Sequence, residues 1–312
     1  MPSVGEVEEY VMGRLTNLGR RLPLEILQQF LRSERICDYH FASIALDELI
    51  YVSSHYRLAD DVRALAGVES LSDLLSEIVS SLDIHFGDGR ASAALRAAYY
   101  FEEPIPDPLL QDLLNLDDLS YANLSYALSG ALLVHSSGVK LRPSYRSALA
   151  ATEHHRQDGE SDGHNWLAKR LLELGWEFDA MRQFYRARAV SELLSVFERI
   201  AKRREFDRTI TSSVPWLRWA NGRDGTVASV FSRILEDIQN RHMALPQVML
   251  LAELCDRVLP GSEPATEFHR LLGATGDAAV RAASEHRLAV SALARRNWNL
   301  TIAHAIEALV AA

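Results

Sequence analysis

Apolar residues recur at spacings of three and four along nearly the whole chain. One such stripe contains Val7, Val11 and Leu15, and another begins at Leu71 and continues to Leu82. Because residues three and four apart lie on one face of an α-helix, this spacing predicts amphipathic helices. Runs with the two-residue alternation of a β-strand are nearly absent, so the sequence predicts a mainly α fold.

The middle of the chain departs from this pattern. Residues 131–135 and 139–142 are short apolar runs joined by Ser136-Ser137-Gly138, which predicts a small β-hairpin. Short helices are expected before the hairpin at 109–114 and 119–131, and a further helix after it. Two helices followed by a hairpin, within about 45 residues, form the pattern of a winged helix.

The last part of the chain shows pairs of helical stripes with small residues where the helices would cross. The pattern in residues 285–311 predicts two helices joined by a short turn, with alanines where the two helices would pack. This passage resembles one tetratricopeptide-type repeat, although no strict period of about 34 residues holds elsewhere. We therefore predict α-solenoid-like, tetratricopeptide-like helical repeats.

These patterns divide the chain into four parts. Residues 1–66 are predicted to form a helical lid-like domain and residues 67–153 a winged-helix domain. Residues 154–163 are polar and contain glycine, which is typical of a linker. Residues 164–312 are predicted to form the helical-repeat domain.

Composition is that of an ordinary soluble protein. Of 312 residues, 48% are hydrophobic and 24% are charged, which excludes a disordered chain or a disulfide scaffold. The two cysteines, Cys37 and Cys255, are far apart, which suits a reducing compartment. The chain has no apolar run long enough for a membrane span, and its first residues are acidic, so neither a membrane partner nor a secretory signal is expected. We expect a cytoplasmic protein.

Three passages resemble the segment that follows the nucleotide-binding core of NACHT-type STAND ATPases. Residues 7–30 contain the basic-Leu turn Gly19-Arg-Arg-Leu22, and Phe41 to Leu49 is similar to the lid helix of that family. Residues 71–75, continuing to 85–87, resemble the helix that opens its winged-helix domain. The resemblance implies a lid and winged helix that cover a nucleotide site, followed by a helical sensor.

The chain departs from that family in two respects. The phosphate-binding pattern G-x-x-x-x-G-K-[ST] is missing from the sequence, and the stretch Leu141 to Tyr145 lacks the histidine that the family places after the wing. Either the ATPase core lies outside this chain, or the chain is a degenerate stand-alone relative. In both cases we expect no ATP hydrolysis, no catalytic residue and no cofactor.

Two adjacent acid pairs, Asp60-Asp61 and Asp117-Asp118, are candidates for binding magnesium in an all-α enzyme. Each pair stands at the start of a predicted helix, where acids cap the helix or favour its dipole. We prefer the capping interpretation and predict no metal site.

Several histidines are candidates for metal binding or catalysis. His154, His155 and His164 lie close in sequence, but their spacing matches no zinc pattern, so a solvated linker is preferred. His269 and His304, with His85 and His286, show no Ser, Cys or acid at triad-like positions in the sequence.

Nucleic acid is not an expected partner. Residues 1–105 contain nine Lys and Arg against 17 Asp and Glu, which would repel phosphate backbones. The candidate recognition helix, residues 119–131, contains Asn123 but no Lys or Arg. The wing offers Lys140, Arg142 and Arg146, which would suffice for a weak phosphate contact.

Candidate partner-binding residues lie in the last part of the chain. The run Lys202-Arg203-Arg204 is either a solvated helix end or a dock for an acidic partner or for the acidic first third of this same chain. Trp216 and Trp219 are either core residues or exposed interface residues.

The sequence therefore favours a non-catalytic regulatory and protein-interaction segment of a STAND/NACHT-type signalling ATPase. Its expected partners are proteins, with a nucleotide-binding core domain as one candidate. A free-standing helical-repeat scaffold or adaptor is the main alternative. An all-α metal-dependent enzyme and a winged-helix DNA binder are the remaining ones.

Overall fold

A computed structural model of the chain describes residues 3–19, 21–32, 35–52, 58–87, 89–155, 160–203, 206, 208–241 and 243–312. The chain divides into two compact units, Met1–Arg170 and Leu171–Ala312.

The first unit consists of helices and one small hairpin. Its elements are α1 (Val4–Asn17), α2 (Leu24–Leu31), α3 (Tyr39–Asp47), α4 (Leu58–Ala66), α5 (Leu71–Phe86), α6 (Arg90–Phe101), α7 (Asp107–Leu114), α8 (Asp118–Ala127), β1 (Leu132–His135), β2 (Gly138–Leu141), α9 (Pro143–His155) and α10 (Glu160–Glu173), whose last residues belong to the second unit. A π-helical turn, Glu48–Val52, continues α3.

Several helices begin where the sequence places a capping side chain. Ser3 caps α1 in a capping box with Glu6, and the Ser70 hydroxyl accepts the amide N–H of Asp73 at the start of α5. Asp117 accepts the amide N–H of Ser120 and so caps α8. These caps satisfy backbone donors that the first helical turn leaves without a carbonyl partner.

Residues 90–141 contain, in order, α6, the bridging residue Ile105, α7, α8 and the hairpin β1–β2, and their assignment to a winged helix stays a prediction. Strands β1 and β2 pair antiparallel, with Leu132 opposite Leu141. Ile105, between α6 and α7, bridges to Val139 through two backbone hydrogen bonds of 2.8 Å, which adds a third extended segment to the hairpin. The predicted mainly α fold with one small β-hairpin is confirmed.

The predicted lid helices pack directly on the winged-helix region. Helix α3 contacts α1, α5 and α9, and α2 packs on α4. Phe41 and Ile44 of α3 are buried together with Leu74 of α5. The predicted boundaries at 66/67 and 153/154 both fall inside the first unit.

The described residues of the predicted linker, 154–163, are helical. Residues 154 and 155 end α9, residues 160–163 begin α10, and 156–159 lie outside the described residues. Gly163 lies so close to the Tyr100 ring that a Cβ atom would overlap it, and His164 is buried 5.0 Å from that ring, centroid to centroid. This glycine therefore allows close packing, whereas sequence reasoning took it as a sign of a linker.

The second unit is built from helices. They are α11 (Glu177–Arg186), α12 (Val190–Ala201), α13 (Val214–Asp224), α14 (Val227–Arg241), α15 (Leu245–Val258), α16 (Glu263–Gly273), α17 (Ala278–Ala294) and α18 (Trp298–Ala311), with a 3₁₀ turn at Arg208–Ser213. Neighbours in sequence pack as pairs, and α12, α14 and α16 also contact one another in succession. The tetratricopeptide-like period stays a prediction.

A row of aromatic rings runs through the core of the second unit. Phe197 of α12 meets Phe231 of α14 edge to face at 5.5 Å between ring centroids, and Phe231 meets Phe268 of α16 at 6.2 Å. All three side chains are buried. Edge-to-face contacts add to the free energy of burial, so this row joins three successive helix pairs.

None of the helices among the described residues combines the length and the apolar character that crossing a bilayer requires.

Candidate functional site

Two adjoining cavities form a recess on the second unit, which we call the groove. The first, of about 720 Å³, lies between the start of α11, the end of α12 and the 3₁₀ turn. The second, of about 630 Å³, lies between α15, α16 and α17. Phe206 and Gln247 line both cavities. The remaining aromatic and large apolar side chains of the groove include Trp176, Phe178, Met249, Leu250 and Leu272.

A buried carboxylate, Glu177, lines the first cavity and forms ion pairs with two arginines. The Glu177 side chain is only 8% exposed, and its Oε1 lies 2.6 Å from Arg203 Nη2 and 3.1 Å from Arg199 Nε. Burying a carboxylate is costly unless opposite charge compensates it, and the two guanidinium groups supply that charge. Since a guanidinium has five N–H donors, Arg203 can bind Glu177 and a further acceptor in the cavity.

The predicted basic run Lys202-Arg203-Arg204 does not form one positive surface among the described residues. Lys202 lies 2.7 Å from Glu198, which also accepts a hydrogen bond of 2.6 Å from Arg233. The Arg233 hydrogen bond, followed by Lys202, lowers the pKa of Glu198 to about 2. Arg204 lies outside the described residues. Of this run, the structure places Arg203 in the groove.

The predicted pair Trp216 and Trp219 is half-buried on α13 rather than exposed. Both rings pack on Tyr185, at centroid distances of 6.3 Å and 5.1 Å. Trp216 also lies 5.2 Å from Phe178, whose ring lines the groove. Trp216 therefore packs against Phe178 of the groove, which sequence spacing alone does not reveal.

A histidine and an aspartate meet in the second cavity. His269 Nε2 lies 2.8 Å from Asp256 Oδ2, and both residues line the cavity with Ser284 and Arg287. His269 is nine-tenths buried, and its Nδ1 has no hydrogen-bond partner among the described residues. A His–Asp pair resembles two members of a catalytic triad, but no nucleophile hydrogen-bonds to this imidazole in the part of the chain described. Sequence reasoning missed Asp256 because the pair spans two helices.

The first unit contains a buried charged cluster that the sequence did not indicate. Asp47, at the end of α3, is 2% exposed and forms an ion pair with Arg14 of α1. Arg14 Nη1 also donates to Ser43 Oγ at 2.7 Å. Burial raises the pKa of Asp47 to about 7, while the charges of Arg14 and Arg142 oppose this rise without cancelling it.

A glycine makes room for this carboxyl group. A Cβ atom on Gly130, just before the hairpin, would overlap the side chain of Asp47. Burial also raises the pKa of Tyr145, on α9, well above its ordinary value. The cluster therefore joins α1, α3 and α9, so that it ties the predicted lid to the winged-helix region.

Helix α8 of the predicted winged helix exposes apolar side chains. Leu119 and Tyr126 of α8 are exposed, and this helix contains no Lys or Arg. In the wing region, Arg142 donates to the carbonyl oxygen of Ser129 at 3.3 Å and Arg146 to that of Tyr99 at 3.0 Å. Helix α8 therefore lacks the basic residues that contacts with base edges and phosphates need, and the basic residues Lys140, Arg142 and Arg146 lie in or next to the hairpin.

The acid pairs stand at helix starts, as the capping interpretation predicts. Asp60 and Asp61 lie in the first turn of α4, where Asp60 pairs with Arg63 at 2.8 Å. Asp117 caps α8, and its pKa is lowered by the hydrogen bonds from Ser120. In the described part of the chain, no three His, Cys, Asp or Glu side chains are grouped so that they could hold a metal ion.

Comparison of the chain with protein-family models, with curated proteins and with solved structures found no match.

Proposed function

We propose that this chain is a non-catalytic protein-interaction module whose second unit binds a segment of a partner protein in the groove. The groove itself is the observation that carries the proposal, because it combines half-buried aromatic side chains and the exposed Leu174 and Met249 with charges held in ion pairs. Aromatic residues, Met and Arg are the types enriched at the centres of protein interfaces.

The shape of the groove favours a polypeptide segment over a compact ligand. Each cavity has the volume of an ordinary ligand pocket, and the shared residues Phe206 and Gln247 connect the two. Two connected recesses suit two successive anchor side chains of one bound segment. Fixed charges at Arg203 and Arg287 would set its register, since both residues line the cavities.

A displayed peptide library tests this proposal. We expect the full chain to select peptides with apolar anchors that bind with micromolar affinity in calorimetry. Leu174→Asp in the first cavity and Met249→Asp in the second should each raise the Kd at least about tenfold, because a charge would enter an apolar contact.

The chain offers a matched control for the second variant. Met12, in α1, is exposed to the same degree as Met249 and lies far from the groove in sequence, so Met12→Asp should leave peptide binding unchanged. If no peptide is selected, or if the selected peptides bind all three variants equally well, the groove is not the binding site.

For the first unit we propose a regulatory role next to a STAND-type nucleotide-binding core. Its support is the winged helix whose α8 surface exposes Leu119 and Tyr126 and carries no basic residue. Such a surface suits a protein contact. A regulatory segment acts only if it binds one state of its partner better than the other.

This role predicts that the chain alone neither hydrolyses ATP nor binds nucleotide with micromolar affinity in calorimetry. Detection of either activity would contradict it. The alternative, a free-standing scaffold, predicts that Leu119→Asp with Tyr126→Asp has no effect on any partner complex of the full chain.

A further inference from the structure

Four carboxylates line the groove, and each of them already has a partner. Glu177 pairs with Arg199 and Arg203, Asp179 with Arg182, Glu253 with Arg257, and Asp256 with His269. A basic group of a ligand would have to displace one of these partners before it could pair with a carboxylate. The groove is therefore a poor site for a basic ligand.

The first cavity has one guanidinium group in excess. Arg199 Nε and Arg203 Nη2 lie 3.1 Å and 2.6 Å from the same oxygen of Glu177, so two positive charges share one negative charge. Arg203 lines the cavity with its side chain 54% exposed, and its Nε and Nη1 have no acceptor among the described residues. These two nitrogens can therefore donate to an acceptor on a ligand.

The second cavity contains an arginine without a partner. Arg287 of α17 lines this cavity and forms neither an ion pair nor a hydrogen bond in the part of the chain that the structure describes. Ser284 lies three residues earlier, on the same side of the helix, and lines the same cavity. Its side chain is buried, and its hydroxyl has no hydrogen-bond partner within the described ranges. A guanidinium and a hydroxyl on one side of a helix are suitable donors for a carboxylate.

The charge of the second unit does not oppose an acidic ligand. Residues 171–312 contain 18 Lys and Arg against 17 Asp and Glu, whereas residues 1–170 contain 15 against 25. The acidic excess of the chain therefore belongs to the first unit. An acidic segment that approaches the second unit meets no excess of like charge on it.

We propose that the partner segment that binds in the groove is acidic, with apolar anchors in the two cavities and carboxylate side chains at Arg203 and Arg287. This inference rests on the proposed function, because it names the chemistry of the segment that the groove binds. Hydrogen bonds between a guanidinium and a carboxylate are charge-assisted and often bidentate, so they are among the strongest in proteins. A basic segment would instead place like charges together.

The peptides that the full chain selects from a displayed random library test this proposal. We expect Asp and Glu to be enriched over Lys and Arg relative to the unselected library. In a synthetic copy of the tightest-binding peptide, Asn and Gln in place of Asp and Glu should raise the Kd about tenfold or more in calorimetry. Amidation of its C-terminus should change the Kd by less than about twofold, because the proposed ligands are side-chain carboxylates. Loss of binding on amidation alone would overturn the proposal in favour of a terminal carboxylate.

Substitutions of the arginines test the same contacts from the side of the protein. Arg287→Gln should raise the Kd of that peptide about tenfold and leave the Tm unchanged, because Arg287 has no partner among the described residues that the change would disturb. Arg203→Gln should act in the same direction, while Arg199 still compensates Glu177. The matched control is Arg281→Gln, since Arg281 is an exposed arginine of α17 that lines neither cavity, and it should change the Kd by less than about twofold.

The outcomes separate this proposal from the proposed function. If the selected peptides show no enrichment of acids, or if they bind the folded Arg287→Gln and Arg203→Gln variants as tightly as the unmodified chain, the segment is not recognised by its acids. The groove would still be the binding site if Leu174→Asp and Met249→Asp weaken those peptides. If the library yields no binding peptide, the proposed function fails and this inference fails with it.

Discussion

The buried ion pair between Arg14 and Asp47 allows a quantitative test. Arg14→Met keeps most of the aliphatic stem but removes the charge, which leaves the carboxyl of Asp47 in the core without its ion-pair partner. Breaking a buried pair in this way costs about 3–5 kcal/mol. We expect the lower end of this range, because Arg142 also lies near Asp47.

The loss of stability caused by Arg14→Met should depend on pH, and its direction follows from the raised pKa of Asp47. In the unfolded chain this carboxyl loses its proton near pH 3.8, whereas in the folded protein it keeps the proton up to about pH 7. The folded state therefore binds more protons between these values, so the free energy of unfolding falls as pH rises through this window. The full change for Asp47 is about 4 kcal/mol, at about 1.4 kcal/mol per pH unit.

Arg14→Met removes a positive charge that lowers the pKa of Asp47. The loss of stability should then continue above pH 7, so the difference between the variant and the unmodified protein grows with pH. Tyr145 and Glu48 lie near the pair, and Tyr145 stays protonated across this range because its pKa is raised.

Urea unfolding followed by circular dichroism, near pH 5 and near pH 9, measures both effects. Arg63→Met is the control, because Arg63 forms an exposed pair with Asp60 that should contribute less than about 1 kcal/mol at either pH. The double variant Arg14→Met with Asp47→Leu should recover most of the lost stability, since an apolar pair needs no compensating charge. An equal loss for Arg14→Met at both pH values would refute the assignment of Asp47 as the titrating group.

Three further predictions concern packing and reactivity. Gly163→Ala should destabilise the protein by about 1–3 kcal/mol in urea unfolding, because the new methyl group would overlap Tyr100. Phe231→Ala should cost about 3–5 kcal/mol in the same assay, since the ring is buried in the aromatic row. A thiol reagent at neutral pH should label Cys37 but not Cys255 in the folded protein, because Cys255 is buried and burial raises its pKa to about 12.

Each of these predictions has a control. Gly13 of α1 has nothing near its missing Cβ, so Gly13→Ala should be neutral or stabilising by up to about 1 kcal/mol. Phe178→Ala, at a groove residue, should cost less stability than Phe231→Ala. In denaturant both cysteines should react, and labelling of two thiols in the folded protein would contradict the buried position of Cys255.

The sequence was a good guide to local structure. The hairpin at 132–141 was predicted from the Ser-Gly turn between two apolar runs, and the cap at Asp117 was recognised from residue type and position. These features depend on neighbours within a few residues. A short stretch of sequence is therefore enough to predict them.

Features that depend on distant residues were not predicted. The ion pair of Arg14 with Asp47 joins two helices, and Asp47 looks like any polar residue of an amphipathic pattern. Ile105 is one residue between helices, and only its partner Val139 makes it part of a sheet. The packing of Gly163 and His164 on Tyr100 was not predicted either, because polarity does not reveal a contact made across the fold.

The surroundings of the candidate partner-binding residues were not predicted from the sequence either. Arg203 was identified from the density of basic residues, but its counter-ion Glu177 lies on a different helix. Trp216 and Trp219 were candidates from residue type, with core and interface positions both open, and the structure shows them packed on Tyr185. Residue type pointed to the part of the chain that forms the groove. The burial of the tryptophans and the ion pair of Arg203 could be seen only in the tertiary structure.

The aromatic row has a consequence for how the second unit opens. Its last ring, Phe268, belongs to α16, while α17 buries only smaller side chains and α18 buries none. Local opening is easiest where the fewest apolar contacts are lost, so the amide hydrogens of α17 and α18 should exchange with solvent before those of α12, α14 and α16. Fraying from one end would leave the three linked helix pairs intact, and the chain would keep its central structure while its last hairpin detaches and rebinds.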